Sequence, residues 1–446
     1  MSEITNELLD RYQDILDTRV CLVQREAIEA CYDALAEHLD DGVWLVAYDE
    51  HTWDAAGQRM AEMLDAAGQD WERFEVPMPD HGDPVCDDAL IADFEARLQE
   101  TDASAGIALG SGTINDVVKM GCYNQDQQMA VVGTAPSMNG YTSAIAAVLS
   151  DGVKTTNPCQ APVVVVADLD VMAEAPHRMI CSGLGDLMSK PVSNSDWRLS
   201  ARLNGTPHSA EAMEIIETGA DLLEGVAPKL PERDREAMRG MVESLMLSGI
   251  AMSVAGSSSP ASGGEHLISH FIDMPAFSRG KPHDLHGCQV GVGTLTTAYL
   301  YEKLRELDPA DIDIDARVDA LQDWSDYDEL LHGRFGDLYD AVVKHAEPGY
   351  PDEAELRRRL TKLVGEWDII MEETSVTLRT KQSLEDELAS AECPIRFADL
   401  GVDRDRARRA IAHSKDIRNR YTILHLAWEL GVLDEWAVEA LAEMYE

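Results

Sequence analysis

The side chains best suited to hold a metal ion lie between positions 183 and 287. Asp186 ends the segment Gly183-Leu184-Gly185-Asp186, His266 and His270 lie in EHLISH, and His286 lies in LHG. His266 and His270 are four residues apart, so a helix would place both on one face. An aspartate and two neutral imidazoles with an open position would form a catalytic zinc shell. Among 13 histidines such a pair also arises by chance, which leaves an ordinary buried pair as the alternative.

A glycine-rich turn is the first candidate for cofactor binding. Gly110-Ser111-Gly112-Thr113 follows the strand-like GIAL and precedes a helix-like run, an arrangement in which backbone N–H groups can hold a pyrophosphate. The third glycine of a Rossmann fingerprint is missing, because position 115 is Asn. A strand-to-helix turn without a ligand is therefore an equal alternative.

Two further loops follow strand-like runs. The segment 134–140, TAPSMNG, places hydroxyls and an amide beyond the carboxyl end of a strand, where ligands of open α/β sheets bind. Its alternative is an ordinary Pro/Gly turn. Asp49 closes the strand VWLVAYD and is suited either to an adenosine ribose or to capping a helix.

The order of these segments predicts two different halves. The first 170 residues alternate strand-like and helix-like runs, and PVVVVADLDVM at 162–172 is typical of a strand buried on both faces of a parallel sheet. From about residue 176 onward the apolar period is that of helices. The acidic segment at 308–316 is the best linker candidate. Ile417, Tyr421, Leu424 and Trp428 have the spacing of one packed helix face.

Composition excludes several classes of function. The chain carries 82 acidic and 37 basic residues in 446, a formal net charge of −45. Such a surface repels nucleic acid and anionic membranes, and no stretch approaches the roughly 18 apolar residues of a membrane span. We expect a cytoplasmic protein adapted to a salt-rich interior, where counter-ions screen the charge. The scattered cysteines lack CxxC pairs and predict reduced thiols.

Taken together, the segments resemble the bacterial type of sn-glycerol-1-phosphate dehydrogenase, within the superfamily of iron-containing alcohol dehydrogenases, glycerol dehydrogenases and dehydroquinate synthases. The resemblance rests on the order of motifs along almost the whole chain: GSGTINDVVK, TAPSMNGYTS, VVVVADLDVM, SGLGDLMSK, SDWRL, PASGGEHLISHF, LHGCQVGVGTL and IRNRYTILHLAWELG.

The resemblance implies a two-domain fold of the dehydroquinate synthase type. Residues 1–175 would form a Rossmann-like α/β domain that binds the dinucleotide. Residues 176–446 would form an all-α domain that binds metal and substrate, with 308–446 as its C-terminal helical portion. The active site would lie in the cleft between them.

The resemblance also implies roles residue by residue. Asp186, His266 and His286 would ligate the metal, Asn139, Asp186 and His270 would contact substrate, and Asp186 and His270 would be catalytic. Cofactor contacts are expected at Asp49, Gly110, Ser111, Gly112, Thr113, Ile114, Thr134, Ala135, Pro136, Ser137 and Ser143.

Two departures from the family pattern affect the substrate. Asn139 stands where relatives have a carboxylate, and an amide can bind a hydroxyl but cannot act as a base. Ser259 stands where an arginine is expected, so capture of a substrate phosphate loses a cation. An anionic substrate and cofactor need a locally positive cleft. The candidate cations are Lys119, Lys154, Lys190 and Arg198, with a surface or structural ion-pair role as the alternative for each.

The activity implied is the metal-dependent, NAD(P)-linked interconversion of dihydroxyacetone phosphate and sn-glycerol 1-phosphate, a reaction of phospholipid metabolism. Asp49 would repel a 2′-phosphate and so favours NAD over NADP. Zinc is the first choice of metal, with nickel and iron as alternatives. We expect a small-molecule substrate and a homo-oligomer. Alternative functions are a polyol dehydrogenase, a dehydroquinate synthase-like lyase and a binding protein that has lost the chemistry.

Overall fold

The computed structural model describes residues 3–79, 84–150, 153–279 and 283–445. The chain forms two compact units. The first comprises Met1–Leu187 and Glu211–Ser258, and the second comprises Met188–Ala210 and Ser259–Glu446. The predicted domains 1–175 and 176–446 differ from these units, because the first unit includes a helical segment from the second half of the sequence. As functional divisions they remain a proposal.

The first unit contains a six-stranded sheet in which every pairing is parallel, in the order β1-β8-β5-β4-β2-β3. A separate antiparallel hairpin is formed by β6 and β7. The strands are β1 (Val20–Gln24), β2 (Val43–Tyr48), β3 (Trp71–Glu75), β4 (Ala103–Gly110), β5 (Gln128–Gly133), β6 (Ile145–Ser150), β7 (Val153–Pro158) and β8 (Val164–Asp168).

The central strands confirm the prediction of a covered parallel sheet. The four apolar residues of β8 are buried, as in a strand covered on both faces, and its last residue, Asp168, is buried with its carboxylate paired with Arg59. Ile107, Val132 and Val166 from three neighbouring strands share one apolar core with Trp44. β1 and the β6–β7 hairpin were not predicted. β1, VCLVQ, is a short apolar run, which periodicity alone does not distinguish from a buried helical segment.

Helices follow most strands of the first unit, as the predicted βαβ order requires. They are α1 (Glu3–Arg11), α2 (Ala27–Ala30), α3 (Tyr32–His38), α4 (Glu50–Thr52), α5 (Gln58–Ala67), α6 (Asp88–Glu100), α7 (Gly112–Asn124), α8 (Leu169–Glu174) and α9 (His177–Met188). After α10 (Lys190–Asn204), which belongs to the second unit, α11 (Ala210–Leu222) and α12 (Arg235–Ala255) complete the first.

The rest of the second unit is helical, and in the described residues from 176 onward no strand occurs, as predicted. None of the helices in the described ranges is long and apolar enough to cross a membrane. The remaining helices are α13 (Gly264–Arg279), α14 (His286–Glu306), α15 (Ile314–Asp319), α16 (Trp324–Phe335), α17 (Tyr339–Gly349), α18 (Glu353–Gly365), α19 (Trp367–Ser375), α20 (Lys381–Ser390), α21 (Arg404–His413), α22 (Ile423–Glu429) and α23 (Leu433–Met444).

The acidic segment 308–316 is not a boundary between units. It lies within the second unit, where the Asp308 side chain accepts a hydrogen bond from the backbone of Ala310. Asp313 likewise caps α15 by accepting from the backbone of Ala316. Aspartate is favoured at such positions because it satisfies amide groups at the start of a helix. The prediction of a linker was wrong because aspartates of this segment cap short helices.

The prediction of one helix face through Ile417, Tyr421, Leu424 and Trp428 was wrong. Ile417 ends a short 3₁₀ segment, residues 418–422 are not helical, and α22 begins only at Ile423. The cause lies in the hydrogen bonding of Thr422, which forms a capping box that starts a new helix. Regular spacing alone does not reveal such a break.

A partly buried histidine gives the second unit a pH dependence. Burial, and then the Arg334 guanidinium, lower the pKa of His413 to about 4. The unfolded chain, with an ordinary histidine pKa near 6.5, therefore binds more protons between about pH 6.5 and 4, and stability falls as pH falls through this window. At pH 5 this effect lowers the free energy of unfolding by roughly 2 kcal/mol relative to pH 7. We expect His413→Asn to remove that part of the loss, measured by urea unfolding at both pH values.

His332→Asn serves as the control, because His332 is exposed. A pH dependence of unfolding free energy that is the same in His413→Asn as in the parent would contradict the expectation.

Candidate active site

Three histidines come together on two helices of the second unit that pack against each other. His266 and His270 lie one turn apart on α13, and His286 is the first residue of α14. The ring centroids of His266 and His286 are 5.2 Å apart, and those of His270 and His286 are 5.3 Å apart. The structure thus brings together the predicted pair and the third histidine, which the sequence separates by 16 residues from His270.

Each of the two predicted histidine ligands uses its Nδ1 within the protein. Nδ1 of His266 lies 2.8 Å from the carboxylate oxygen Oε1 of Glu265, which is completely buried. Nδ1 of His286 lies 3.1 Å from Oγ of Ser269. Histidines that bind metal through Nε2 have this arrangement, because a partner on Nδ1 fixes the tautomer and the ring orientation. The residues present therefore fit a divalent metal.

Asp273 is a member of this neighbourhood that sequence reasoning missed. Ligand atoms of His270, Asp273 and His286 all lie within 4.8 Å of one another, and Asp273 is 2% exposed. The signal was present, since Asp273 follows His270 by three residues and so shares its helix face.

The predicted aspartate ligand lies in the first unit. Asp186 is in α9 and is 1% exposed. Its Oδ1 accepts a hydrogen bond from the Asn139 side-chain amide at 3.1 Å, and its Oδ2 accepts from the Asn139 backbone at 3.2 Å. Two residues expected at the substrate are therefore in direct contact. Ligation of one metal by Asp186 with His266 and His286 remains a prediction.

The contact gives a physical reason for an amide at position 139. A carboxylate there would face the Asp186 carboxylate, and two like charges at this distance repel unless a cation lies between them. We expect Asn139→Asp to lower the stability of the metal-free protein by roughly 1–3 kcal/mol, and metal to restore more stability to the variant than to the parent. Thermal unfolding with and without zinc measures both effects.

Asn139→Ser is the matched control, because it removes the amide without adding charge. Equal metal-induced stabilisation of parent and Asn139→Asp would show that repulsion at Asp186 is not the cause.

The glycine-rich turn connects a strand to a helix as predicted. β4 ends at Gly110 and α7 begins at Gly112, so its first amides are at the turn. A Cβ added at Gly112 would meet no atom within 4 Å, which leaves open space at the start of a 13-residue helix. A Cβ at Gly110 would instead lie 2.6 Å from Ile114. The turn has the features of an anion site: helix amides, the positive end of the helix dipole, and room.

The second predicted cofactor loop starts beside the first. Gly133 at the end of β5 pairs with Gly110, and the Thr134 amide donates to the Gly110 carbonyl at 3.2 Å. The predicted residues of this loop are buried: Thr134, Ala135, Pro136, Ser137 and Ser143. Both loops therefore lie at the carboxyl edge of neighbouring strands, where α/β sheets bind ligands.

Lys119 holds this loop from α7. Its Nζ donates to the carbonyl oxygens of Gly140 at 2.5 Å, Ser143 at 2.8 Å and Ile145 at 3.3 Å. Lys119 is completely buried, and burial lowers the pKa of its ammonium group. The sequence offered it either as a cation for substrate and cofactor or as a surface or structural residue. The structure places its donors on backbone carbonyls.

The other candidate cations have different surroundings. Lys190 is also buried, and its Nζ donates to the Ala261 carbonyl at 3.1 Å. Arg198 is partly buried. The side chain of Lys154 lies outside the described residues. Both candidate lysines whose side chains are described, Lys119 and Lys190, therefore donate hydrogen bonds to backbone carbonyl oxygens.

Asp49 caps a helix. Its Oδ1 accepts from the Thr52 amide at 2.8 Å, and the Thr52 hydroxyl accepts from the Asp49 amide at 2.9 Å. This is the capping alternative that the sequence left open. A role of Asp49 at the cofactor ribose stays a prediction.

Comparison with known proteins first defines the class. Residues 22–176 match the family model of iron-containing alcohol dehydrogenases. The crystal structure of glycerol dehydrogenase from Schizosaccharomyces pombe is similar at a TM-score of 0.59 and 15% identity, over 95% of this chain and 90% of that chain. The fold is thus the two-part α/β and helical fold of the iron-containing alcohol dehydrogenases.

Closer sequence relatives then define the family. A glycerol-1-phosphate dehydrogenase [NAD(P)+] from Bacillus subtilis (strain 168) is 33% identical over 330 residues, 74% of this chain and 82% of the relative. One of the same name from Methanoculleus marisnigri is 35% identical over 62% of this chain and 72% of the relative. The chain belongs to the glycerol-1-phosphate dehydrogenase family.

Proposed function

We propose that this protein is an NAD(P)-linked oxidoreductase that interconverts dihydroxyacetone phosphate and sn-glycerol 1-phosphate. The observation that carries the proposal is family membership over most of the length of relatives with this name. Two features of the chain support it independently. A helix begins with open space at a glycine-rich turn, and two histidines have Nδ1 engaged by buried partners.

Each of these features has a part in the proposed reaction. The amides at the start of α7 would hold the pyrophosphate, and the loop held by Lys119 would support the nicotinamide. Asp186, His266 and His286 would hold a divalent metal, for which zinc is our first choice. Such a metal supplies Lewis acidity at the substrate oxygen. His270, adjacent to His286, would contact the substrate and transfer a proton to or from its hydroxyl.

The decisive assay compares dihydroxyacetone phosphate with dihydroxyacetone at equal concentration. The chain would be reloaded with zinc, nickel or iron in molar potassium chloride, because its net charge of −45 needs screening, and oxidation of NADH and NADPH followed. Preference for the phosphate, abolished by chelator, supports the proposal. Reaction of the free ketone alone would favour a polyol dehydrogenase. Ketone loss without stoichiometric NADH oxidation would favour a lyase.

Stereochemistry and assembly are separate parts of the proposal. The sn-1 product is distinguished from sn-3 by reoxidation with an enzyme specific for one isomer. The homo-oligomer is tested by light scattering of the same preparation. A single-chain mass near 49.0 kDa would contradict it.

A further inference from the structure

A series of buried polar side chains leads from His286 into the interior of the second unit. Oγ of Ser269 lies 3.1 Å from Nδ1 of His286 and 3.0 Å from Oε1 of Gln289. Nε2 of Gln289 donates to Oδ1 of Asp273 at 2.9 Å and to the carbonyl of Asp284 at 2.9 Å. Ser269 and Gln289 are completely buried. Because water does not reach these groups, the hydrogen-bond directions must be consistent within the series.

The far end of the series fixes the orientation of the glutamine amide. Asp273 Oδ1 and the Asp284 carbonyl are both acceptors, so the group that faces them must be the NH₂ of Gln289. Oε1 of Gln289 therefore faces Ser269. A flipped amide would place oxygen against two oxygens.

The amide orientation in turn fixes the serine hydroxyl. Oε1 of Gln289 can only accept, so Ser269 donates its single hydroxyl proton to it. With that proton used, the Ser269 oxygen can only accept from His286. The proton of the neutral His286 ring must then be on Nδ1, and the lone pair on Nε2.

We propose that Ser269 and Gln289 are positioning residues that fix the tautomer of His286 and so prepare its Nε2 for a divalent metal before the metal binds. The inference rests on the proposed function, in which His286 is a ligand. His266 obtains the same tautomer directly from the Glu265 carboxylate. His286 obtains it from a neutral hydroxyl, with the carboxylate of Asp273 two side chains away.

The first test measures metal affinity without catalysis. Zinc is titrated into the metal-free full-length chain in competition with a chromophoric chelator. Partners of a metal-bound histidine typically contribute 10- to 100-fold to metal affinity, and we expect a loss of that order in Ser269→Ala and Gln289→Met. Ser269→Thr, which keeps the hydroxyl, is expected to bind within about threefold of the parent.

A matched control separates this effect from damage to the fold. Thr294 is also a completely buried hydroxyl on α14, but it donates only to the Val290 carbonyl of its own helix. Thr294→Val should leave zinc affinity unchanged. Thermal unfolding of every metal-free variant reports on the fold itself.

A second measurement observes the tautomer directly. In chains labelled with ¹⁵N-histidine, the metal-free parent should show His286 as the Nδ1–H form, assigned by loss of the signal in His286→Gln. Ser269→Ala should shift the ring toward the Nε2–H form, which is the commoner one in the absence of a partner.

The outcomes distinguish the inference from the proposed function. A parent that binds zinc, with Ser269→Ala and Gln289→Met binding equally tightly and His286 unchanged in tautomer, overturns the positioning role alone. A parent that binds no divalent metal overturns the proposed function together with this inference. A loss of affinity in Ser269→Ala that Ser269→Thr does not show supports the inference.

Discussion

Replacing His266 with alanine is expected to remove the metal and to lower kcat/KM by about 10³-fold or more, equivalent to about 4 kcal/mol of transition-state stabilisation. His266 is 5% exposed and its Nδ1 partner is the buried Glu265 carboxylate, so alanine would remove both the ligand atom and this partner and leave a cavity beside the carboxylate. Metal content by mass spectrometry and the rate with dihydroxyacetone phosphate measure the two effects.

Comparison variants make this result specific. His270→Ala is expected to keep the metal and to lose roughly 10²-fold in kcat, because the role proposed for it is proton transfer. His332→Ala, at an exposed position, should change neither property. If His266→Ala kept the metal while His270→Ala and Asp273→Ala lost it, the ligands would instead be His270, Asp273 and His286, the group whose ligand atoms lie within 4.8 Å of one another.

Filling the space at the glycine-rich turn is expected to have the next largest effect. We expect Gly112→Val to raise the KM for NADH by roughly 100-fold, since the side chain would occupy the region where helix amides meet the pyrophosphate and several charge-assisted hydrogen bonds would be lost. The fold itself should tolerate the change, because a Cβ at this position meets no atom within 4 Å. Steady-state kinetics with NADH, together with zinc affinity, distinguish a cofactor defect from a metal defect.

Gly333→Val is the matched control. Gly333 is also helical, and a Cβ there also meets no atom within 4 Å, but it lies on α16 in the second unit. An unchanged KM for NADH in Gly112→Val would mean that the pyrophosphate does not lie at this turn.

The sequence predicted those parts of the fold whose signal is local. The strands β2, β4, β5 and β8 were predicted because each is a continuous apolar run, and the turn at Gly110 was predicted because glycine separates a strand pattern from a helix pattern. The convergence of His266 and His270 follows from helix geometry. His286 was assigned to the site only because of the resemblance to a family, since no local pattern in the sequence relates α14 to α13.

The parts that were missed depend on contacts between distant segments. The lysine at 119 was one of ten in the chain, and only the fold shows that its ammonium group meets three backbone carbonyls more than 20 residues away. Ser269 lies on α13 and Gln289 on α14, 20 positions further along the chain, so no local pattern reveals their hydrogen bond. The pairing of β6 with β7 was missed because neither strand has a clear apolar alternation.

The first unit consists of two separate stretches of sequence, and this affects the order in which its contacts can form during synthesis. The sheet is complete in sequence once β8 ends at Asp168, but α12 supplies Arg239, whose guanidinium donates to the Val23 carbonyl of β1 at 2.7 Å, and Arg235, which pairs with Asp170. During synthesis these groups leave the ribosome well after the edge strand β1. The contacts that α12 makes with β1 and with Asp170 therefore become available only after α10, a part of the other unit, has been made.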